Sequence, residues 1–222
     1  MGASSEGLCF PQIIDDLKPV LELTQKYPVS HICLQPNIRP RSLGECLPLL
    51  EGWIELGKQA DVPVYIETHR DRMTTDLFFT LDLLDRIPDL PLLADLSHFL
   101  VGREFSYPVS QENHSYIHRI MDNAQAFHGR VASREQVQIE ISFQHHKPWV
   151  DLFMEWWDYG FHSWKKRADA DATLVFVCEL GPKPYAITGR DGEDTTDRWQ
   201  EALMLKDAAK SLWRKINSER GL

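Results

Sequence analysis

The sequence predicts an α/β fold built on a parallel sheet. Short apolar segments alternate along the chain with longer segments of helical periodicity, and this alternation is typical of βα units. Four of the strand segments also end on acidic or histidine side chains, at the strand ends where parallel folds place their chemistry. With 222 residues and 43% hydrophobic content, the chain is long enough for one sizeable domain.

The elements follow one another from strand to helix along most of the chain. Strands are predicted at residues 30–35, 62–68, 91–96, 126–132 and 172–180, with a possible remnant of another in "GLCF" at 7–10. Helices are predicted at about 12–26, 42–60, 74–87, 110–124, 148–167 and 195–217. The helix at 148–167 carries a stripe of tryptophan and phenylalanine, which favours core packing over a platform for sugar rings.

Composition and charge restrict the class of partner and the compartment. The formal net charge is −9, which disfavours nucleic acid, because a phosphate backbone attracts basic proteins. Four cysteines without a CxxC spacing indicate free thiols in a reducing cytoplasm. The first residues lack the pattern of a signal peptide, and no apolar run is long enough for a membrane span. We therefore expect a cytoplasmic protein without a nucleic-acid or membrane partner.

The ends of four predicted strands carry a set of side chains typical of a metal site. They are Glu67, Asp95, His128 and Glu179. Each of them alone has an ordinary interpretation, as a helix cap, a solvated loop acid or a core histidine. Together, three carboxylates and one imidazole suit a divalent Mn, Mg, Co or Zn ion. Three carboxylates on one rim also repel each other unless a cation lies between them, which favours a shared metal.

Four blocks of sequence, in this order, resemble a known superfamily over about residues 30–200. They are "IETHRDR", "ADLSHF", "FHGRVAS" with "VQIE", and "CELGPKPY". They are similar to the xylose isomerase-like TIM-barrel superfamily, and in particular to its sugar phosphate isomerase/epimerase type. The resemblance implies a (β/α)8 TIM barrel that binds its metal through the four strand-end residues.

Only about five βα units are found, so the resemblance implies a barrel that is incomplete at its N-terminal side. We expect a single domain over residues 1–222 that lacks the first strands, as a shortened gene would produce. A partial barrel that closes by forming a homo-oligomer is the other expectation, because an open sheet edge invites pairing.

The resemblance also implies a reaction on a small-molecule sugar or sugar phosphate. Glu67 and Glu179 would act as acid and base on opposite faces of the substrate, and the metal would polarise a carbonyl so that an enediolate forms. The side chains expected to contact the substrate are His69, Arg72, His98 and Arg130.

Two other functions stay open at this point. A catalytically inactive barrel remnant is favoured by the missing strands, since those strands would close the pocket. An endonuclease IV-like metal hydrolase shares the scaffold, but the net charge of −9 disfavours an enzyme that binds DNA.

Overall fold

The computed structural model describes residues 5–218 as an α/β fold. The chain divides into two compact units, with the boundary between Leu93 and Ala94. Residues 1–4 lie outside the described residues. They include part of the segment from which the absence of a signal peptide was predicted, so the structure does not test that prediction. None of the described helices is both long enough and apolar enough to cross a membrane.

The first unit holds four parallel strands that pair in chain order. The strands are β1 (Gly7–Cys9), β2 (Ile32–Leu34), β3 (Val64–Glu67) and β4 (Leu92–Ala94), whose last residue begins the second unit. A 3₁₀ turn (Ile14–Leu17) and three helices, α1 (Lys18–Lys26), α2 (Leu43–Gln59) and α3 (Leu77–Arg86), join them. Pairing of Leu8 with Cys33 and of Cys33 with Tyr65 makes β2 a central strand. All of β2 is buried, as an apolar strand with neighbours on both sides should be.

The second unit holds two parallel strands and four helices. The strands are β5 (Ala124–His128) and β6 (Val175–Val177), and the helices are α4 (Ser97–Gly102), α5 (Gln111–Met121), α6 (Lys147–Arg167) and α7 (Arg198–Ser218). The two strands pair with Phe127 opposite Phe176. In α6, Phe153, Trp156 and Trp157 are fully buried, which confirms that the aromatic stripe packs into the core. Burying an aromatic side chain such as Phe153 contributes roughly 2–3 kcal/mol.

The predicted (β/α)8 TIM-barrel type, incomplete at its N-terminal side, is wrong, although the parallel α/β character is right. The described residues contain six strands, whereas a closed barrel of this type needs about eight. Within their units, β1 pairs only with β2 and β6 pairs only with β5, so neither terminal strand has the second neighbour that closure requires. The fold is therefore an open α/β fold. Barrel closure depends on pairing between strands that are distant in sequence, and no local pattern encodes it.

The positions of the individual strands were predicted better than the type of barrel. The five predicted strands are all present, and the possible remnant in "GLCF" is the strand β1. The fourth predicted strand lies earlier than expected, since β5 ends at His128 rather than at residue 132. The short helix α4 was not predicted. The shift of β5 matters for the site, because it places His128 at the strand end and Arg130 in the loop beyond it.

Candidate metal centre

Three of the predicted metal ligands come together in the second unit. Asp95 directly follows β4, His128 is the last residue of β5, and Glu179 lies two residues beyond β6. Each offers one ligand atom, and these atoms lie within 4.8 Å of one another. Asp95 is fully buried, whereas the Glu179 side chain keeps 32% of its surface exposed. Buried acidic and histidine groups that could hold a metal ion are thus present.

The Asp95 carboxylate is oriented by the residue that begins α4. The backbone N–H and the hydroxyl of Ser97 both donate to Asp95 Oδ1, at 3.0 and 2.5 Å. These two hydrogen bonds hold one carboxylate oxygen. The other oxygen, Oδ2, lies 3.4 Å from Arg130 Nη1 and 3.4 Å from His98 Nε2. A buried carboxylate with several donors is a fixed ligand, since its rotamer is set by the surrounding groups.

Arg130 is the positively charged group closest to these carboxylates in the second unit. Its Nη2 lies 2.5 Å from Glu179 Oε1, and its Nε donates to the Glu179 carbonyl oxygen at 3.2 Å. The guanidinium also stacks over the ring of Tyr185 at 4.6 Å. Arg130 is only 2% exposed. It was predicted to contact substrate, and the structure places it against the carboxylates of the centre.

The contact between Arg130 and His98 sets the tautomer of His98. Arginine has only donors, so the Arg130 Nη1 group donates to His98 Nε2 across 3.2 Å. The acceptor nitrogen carries no proton, and the proton of the neutral ring is therefore on Nδ1.

His128 and Glu179 approach each other in the way that two ligands of one cation do. His128 Nδ1 lies 2.7 Å from Glu179 Oε2. An imidazole nitrogen and a carboxylate oxygen at this distance either share a proton or face a common cation. Two carboxylates and an imidazole are also the donor types that divalent first-row metals accept. The residues present fit a divalent metal ion.

The strand-end carboxylates repel each other less than the sequence predicted. Repulsion between strand-end carboxylates was expected to require a metal, but Arg130 already supplies a positive charge to Asp95 and Glu179. The case for a metal therefore depends on the donor types and their convergence, not on unrelieved repulsion.

Glu67 belongs to the first unit, where it ends β3. Its carboxylate is fully buried, and Oε2 accepts hydrogen bonds from Gln35 Nε2 at 2.6 Å and from Cys33 Sγ at 2.9 Å. Both donors come from β2 or the residue following it. The sequence signal for this arrangement was the ending of "SHICLQ" on Gln35, which was not recognised as functional.

The other two predicted substrate contacts also lie in the first unit, in the loop after β3. His69 Nδ1 donates to the carbonyl of Arg70 at 2.6 Å. Arg72 Nε donates to Gln35 Oε1 at 3.3 Å. Both side chains are partly exposed to solvent.

Gln138 is a positioning residue that the sequence did not single out. Its side-chain amide makes both possible hydrogen bonds with Gly181, since Nε2 donates to the Gly181 carbonyl at 2.7 Å and Oε1 accepts from the Gly181 N–H at 2.9 Å. Gln138 is 1% exposed. This double hydrogen bond fixes the loop that begins at Glu179. The residues are 43 positions apart, so no local pattern could have paired them.

Burial and charge shift the pKa of two groups beside the predicted site residues. Burial raises the pKa of the Cys178 thiol, which directly precedes Glu179, and keeps it neutral. In the first unit, hydrogen bonds from Arg39 hold the pKa of Asp71 below its usual value. Asp71 therefore stays ionised throughout the neutral range.

Comparison with protein-family models found no match, and a search of curated proteins found none either. The open α/β fold and the converging ligand atoms define a class, an α/β protein with a candidate metal centre. Function is therefore inferred from the side chains of this chain.

Proposed function

We propose that the protein is a divalent-metal-dependent isomerase or epimerase that acts on a sugar or sugar phosphate by proton transfer. The observation that carries the proposal is the convergence of Asp95, His128 and Glu179, whose ligand atoms lie within 4.8 Å of one another. This donor set suits Mn, Mg, Co or Zn. The "DLSH" and "CELGPKPY" blocks that resemble sugar phosphate isomerases/epimerases supply the reaction class.

The metal would be held by these three residues, with Glu67 as the fourth ligand. The argument for Glu67 is its place at the carboxyl end of the parallel strand β3 and its buried, hydrogen-bonded carboxylate. A glutamate with one oxygen held by two donors keeps its second oxygen in a defined direction, as a metal ligand requires. When bound, the ion supplies Lewis-acid polarisation of a substrate carbonyl.

The proton transfers fall to Glu179 and Glu67. Glu179 takes the proton from the carbon next to the carbonyl, because it is the most exposed carboxylate of the set, with 32% of its side-chain surface accessible. Arg130 holds one Glu179 oxygen and so orients the other. The resemblance implies that Glu67 would return a proton to the enediolate from the opposite face. His98 donates through Nδ1 to a substrate oxygen, since its Nε2 is engaged by Arg130.

The experiment is solvent deuterium uptake into a panel of ketoses and ketose phosphates by the Mn²⁺-loaded protein, followed by NMR. We expect uptake at the carbon next to the carbonyl and its loss in Glu179→Gln. Glu135→Gln is the matched control, since Glu135 is an exposed glutamate of the same unit whose side chain keeps 73% of its surface exposed. Absence of uptake by metal-loaded protein across the panel would reject the isomerase.

A protein with the same fold and no turnover is the second candidate, and one observation favours it. Arg130 pairs with both Asp95 and Glu179, so these carboxylates can be held in place without a metal. Such a protein would bind neither Mn²⁺ nor Zn²⁺ stoichiometrically.

The compartment and the assembly state complete the proposal. Cys9, Cys33 and Cys46 are buried free thiols, which suit the reducing cytoplasm. A homo-oligomer remains the expectation for the exposed sheet edges, and sedimentation velocity measures it directly.

A further inference from the structure

Two loops at the carboxyl ends of adjacent strands in the first unit are rich in arginine. The loop after β2 (residues 36–42) carries Arg39 and Arg41, and the loop after β3 (residues 68–75) carries Arg70 and Arg72. The only acid in these two segments is Asp71. The concentration of positive charge is unusual in a chain with a formal net charge of −9. We call these four arginines the arginine rim.

Two guanidinium groups of the rim converge on one carboxylate. Arg39 makes a bidentate contact with the Asp71 carboxylate, with Nε 2.7 Å from Oδ1 and Nη2 2.5 Å from Oδ2. Arg72 Nη1 lies 3.6 Å from the same Oδ2. Asp71 is 68% exposed at its side chain and Arg39 is 50% exposed. The carboxylate therefore marks a solvent-accessible point where an anion meets two arginines.

Both guanidinium groups are held in place by neighbours other than Asp71. Arg39 Nη1 donates to the side-chain oxygen of Asn37 at 3.0 Å. Arg72 Nε donates to Gln35 Oε1 at 3.3 Å, and its guanidinium lies over the Phe10 ring at 5.6 Å. Arginines that are already oriented lose little side-chain entropy when they bind an anion.

We propose that Arg39 and Arg72 of the arginine rim bind the phosphate group of a phosphorylated sugar, displacing Asp71 from Arg39. This inference rests on the proposed function, which supplies a phosphorylated sugar as the class of ligand. Arginine forks match the oxygen geometry of phosphate, so two oriented guanidinium groups suit a phosphate dianion. The carboxyl ends of parallel strands are also where α/β folds bind their ligands.

The test is a calorimetric titration of inorganic phosphate into the chelator-treated full chain at constant ionic strength. We expect Arg39→Gln and Arg72→Gln each to weaken phosphate binding about five-fold, the effect of one lost charged contact at an exposed site. Asp71→Asn should instead tighten binding, because it removes the competing carboxylate while keeping the side-chain shape. Arg86→Gln is the control, since Arg86 is an exposed arginine in the last turn of α3.

Phosphate affinity is expected to change in opposite directions in the arginine variants and in Asp71→Asn. Unchanged affinity in Arg39→Gln, or weaker binding in Asp71→Asn, would overturn it. Acetate that binds as tightly as phosphate would overturn the assignment to phosphate. Because the titration uses metal-free protein, its failure leaves the metal centre and deuterium uptake untouched, and that combination would mean an isomerase of unphosphorylated sugars. Circular dichroism of each variant verifies that the fold is retained.

Discussion

Arg130 binds Glu179 through both the main chain and the side chain of the glutamate. Its Nε donates to the Glu179 carbonyl at 3.2 Å, and its Nη2 lies 2.5 Å from Oε1. The same guanidinium lies 3.4 Å from Asp95 Oδ2. Arg130 is therefore both the counter-ion of two acidic groups and the residue that fixes the loop after β6. A metal ion at this centre would take over the first role but not the second.

Arg130→Gln should destabilise the protein and increase the stabilisation gained from metal. Removing one partner of a buried ion pair leaves a buried charge uncompensated and costs about 3–5 kcal/mol of unfolding free energy. Added Mn²⁺ should return more of this free energy to the variant than it adds to the wild type, because the ion then neutralises Asp95 and Glu179. Urea denaturation with and without Mn²⁺ measures both quantities.

The control for this experiment is Arg134→Gln, because the Arg134 side chain is 44% exposed and its ion pairs lie at the surface. Equal stabilisation of wild type and Arg130→Gln by Mn²⁺ would contradict the view that arginine and metal neutralise the same carboxylates.

Gln138→Leu should weaken metal binding while the fold is kept. Leucine is close in size to glutamine but cannot pair with Gly181, so the loop that carries Glu179 loses both of its amide hydrogen bonds. Substitutions outside the ligand set that disturb ligand orientation lower metal affinity about 10–100-fold. Competition with a metal-binding dye measures the affinity, and Gln136→Leu is the exposed control. Unchanged affinity would mean that Gln138 has no part in positioning Glu179.

His118 should make the protein less stable in acid. Burial, together with the nearby His114, lowers the pKa of His118 below its ordinary value of about 6.5. The unfolded chain then binds more protons than the folded chain, so the free energy of unfolding falls as the pH drops from about 7 to below the folded-state pKa. The ring stacks on Tyr159 at 3.8 Å, and His118→Phe should keep the stack while removing the titration.

We expect the unfolding free energy of His118→Phe to fall less between pH 7.5 and 5.5 than that of the wild type. Urea denaturation at the two pH values measures the difference, and His145→Gln is the control because His145 is an exposed histidine. The same loss in wild type and His118→Phe would show that His118 does not carry the acid sensitivity.

The sequence could predict the strands and three converging ligands because both signals are local. Val64–Glu67 reads as a buried strand that ends on an acid, and "LLAD" does the same at Asp95. The carboxyl ends of parallel strands share one edge, so strand-end residues are brought together without knowledge of any other contact.

The parts that could not be predicted depend on contacts between distant residues. Arg130 and Glu179 are 49 positions apart, so no local pattern could predict their contact, and the expected contact of Arg130 with substrate stays a prediction. The predicted fold, a (β/α)8 barrel without its first strands, was wrong for the same reason, since barrel closure depends on pairing between strands that are distant in sequence.

The most direct measurement is the metal content of the purified full chain, determined by mass spectrometry beside the Asp95→Asn/Glu179→Gln double variant. The account predicts about one divalent ion per chain in the wild type and its loss in the double variant, because the two carboxylates supply anionic ligands that amides replace poorly. A wild type without metal after incubation with Mn²⁺ and Zn²⁺ would contradict the metal centre. The cluster of Arg130, Asp95 and Glu179 would then be a purely structural set of ion pairs.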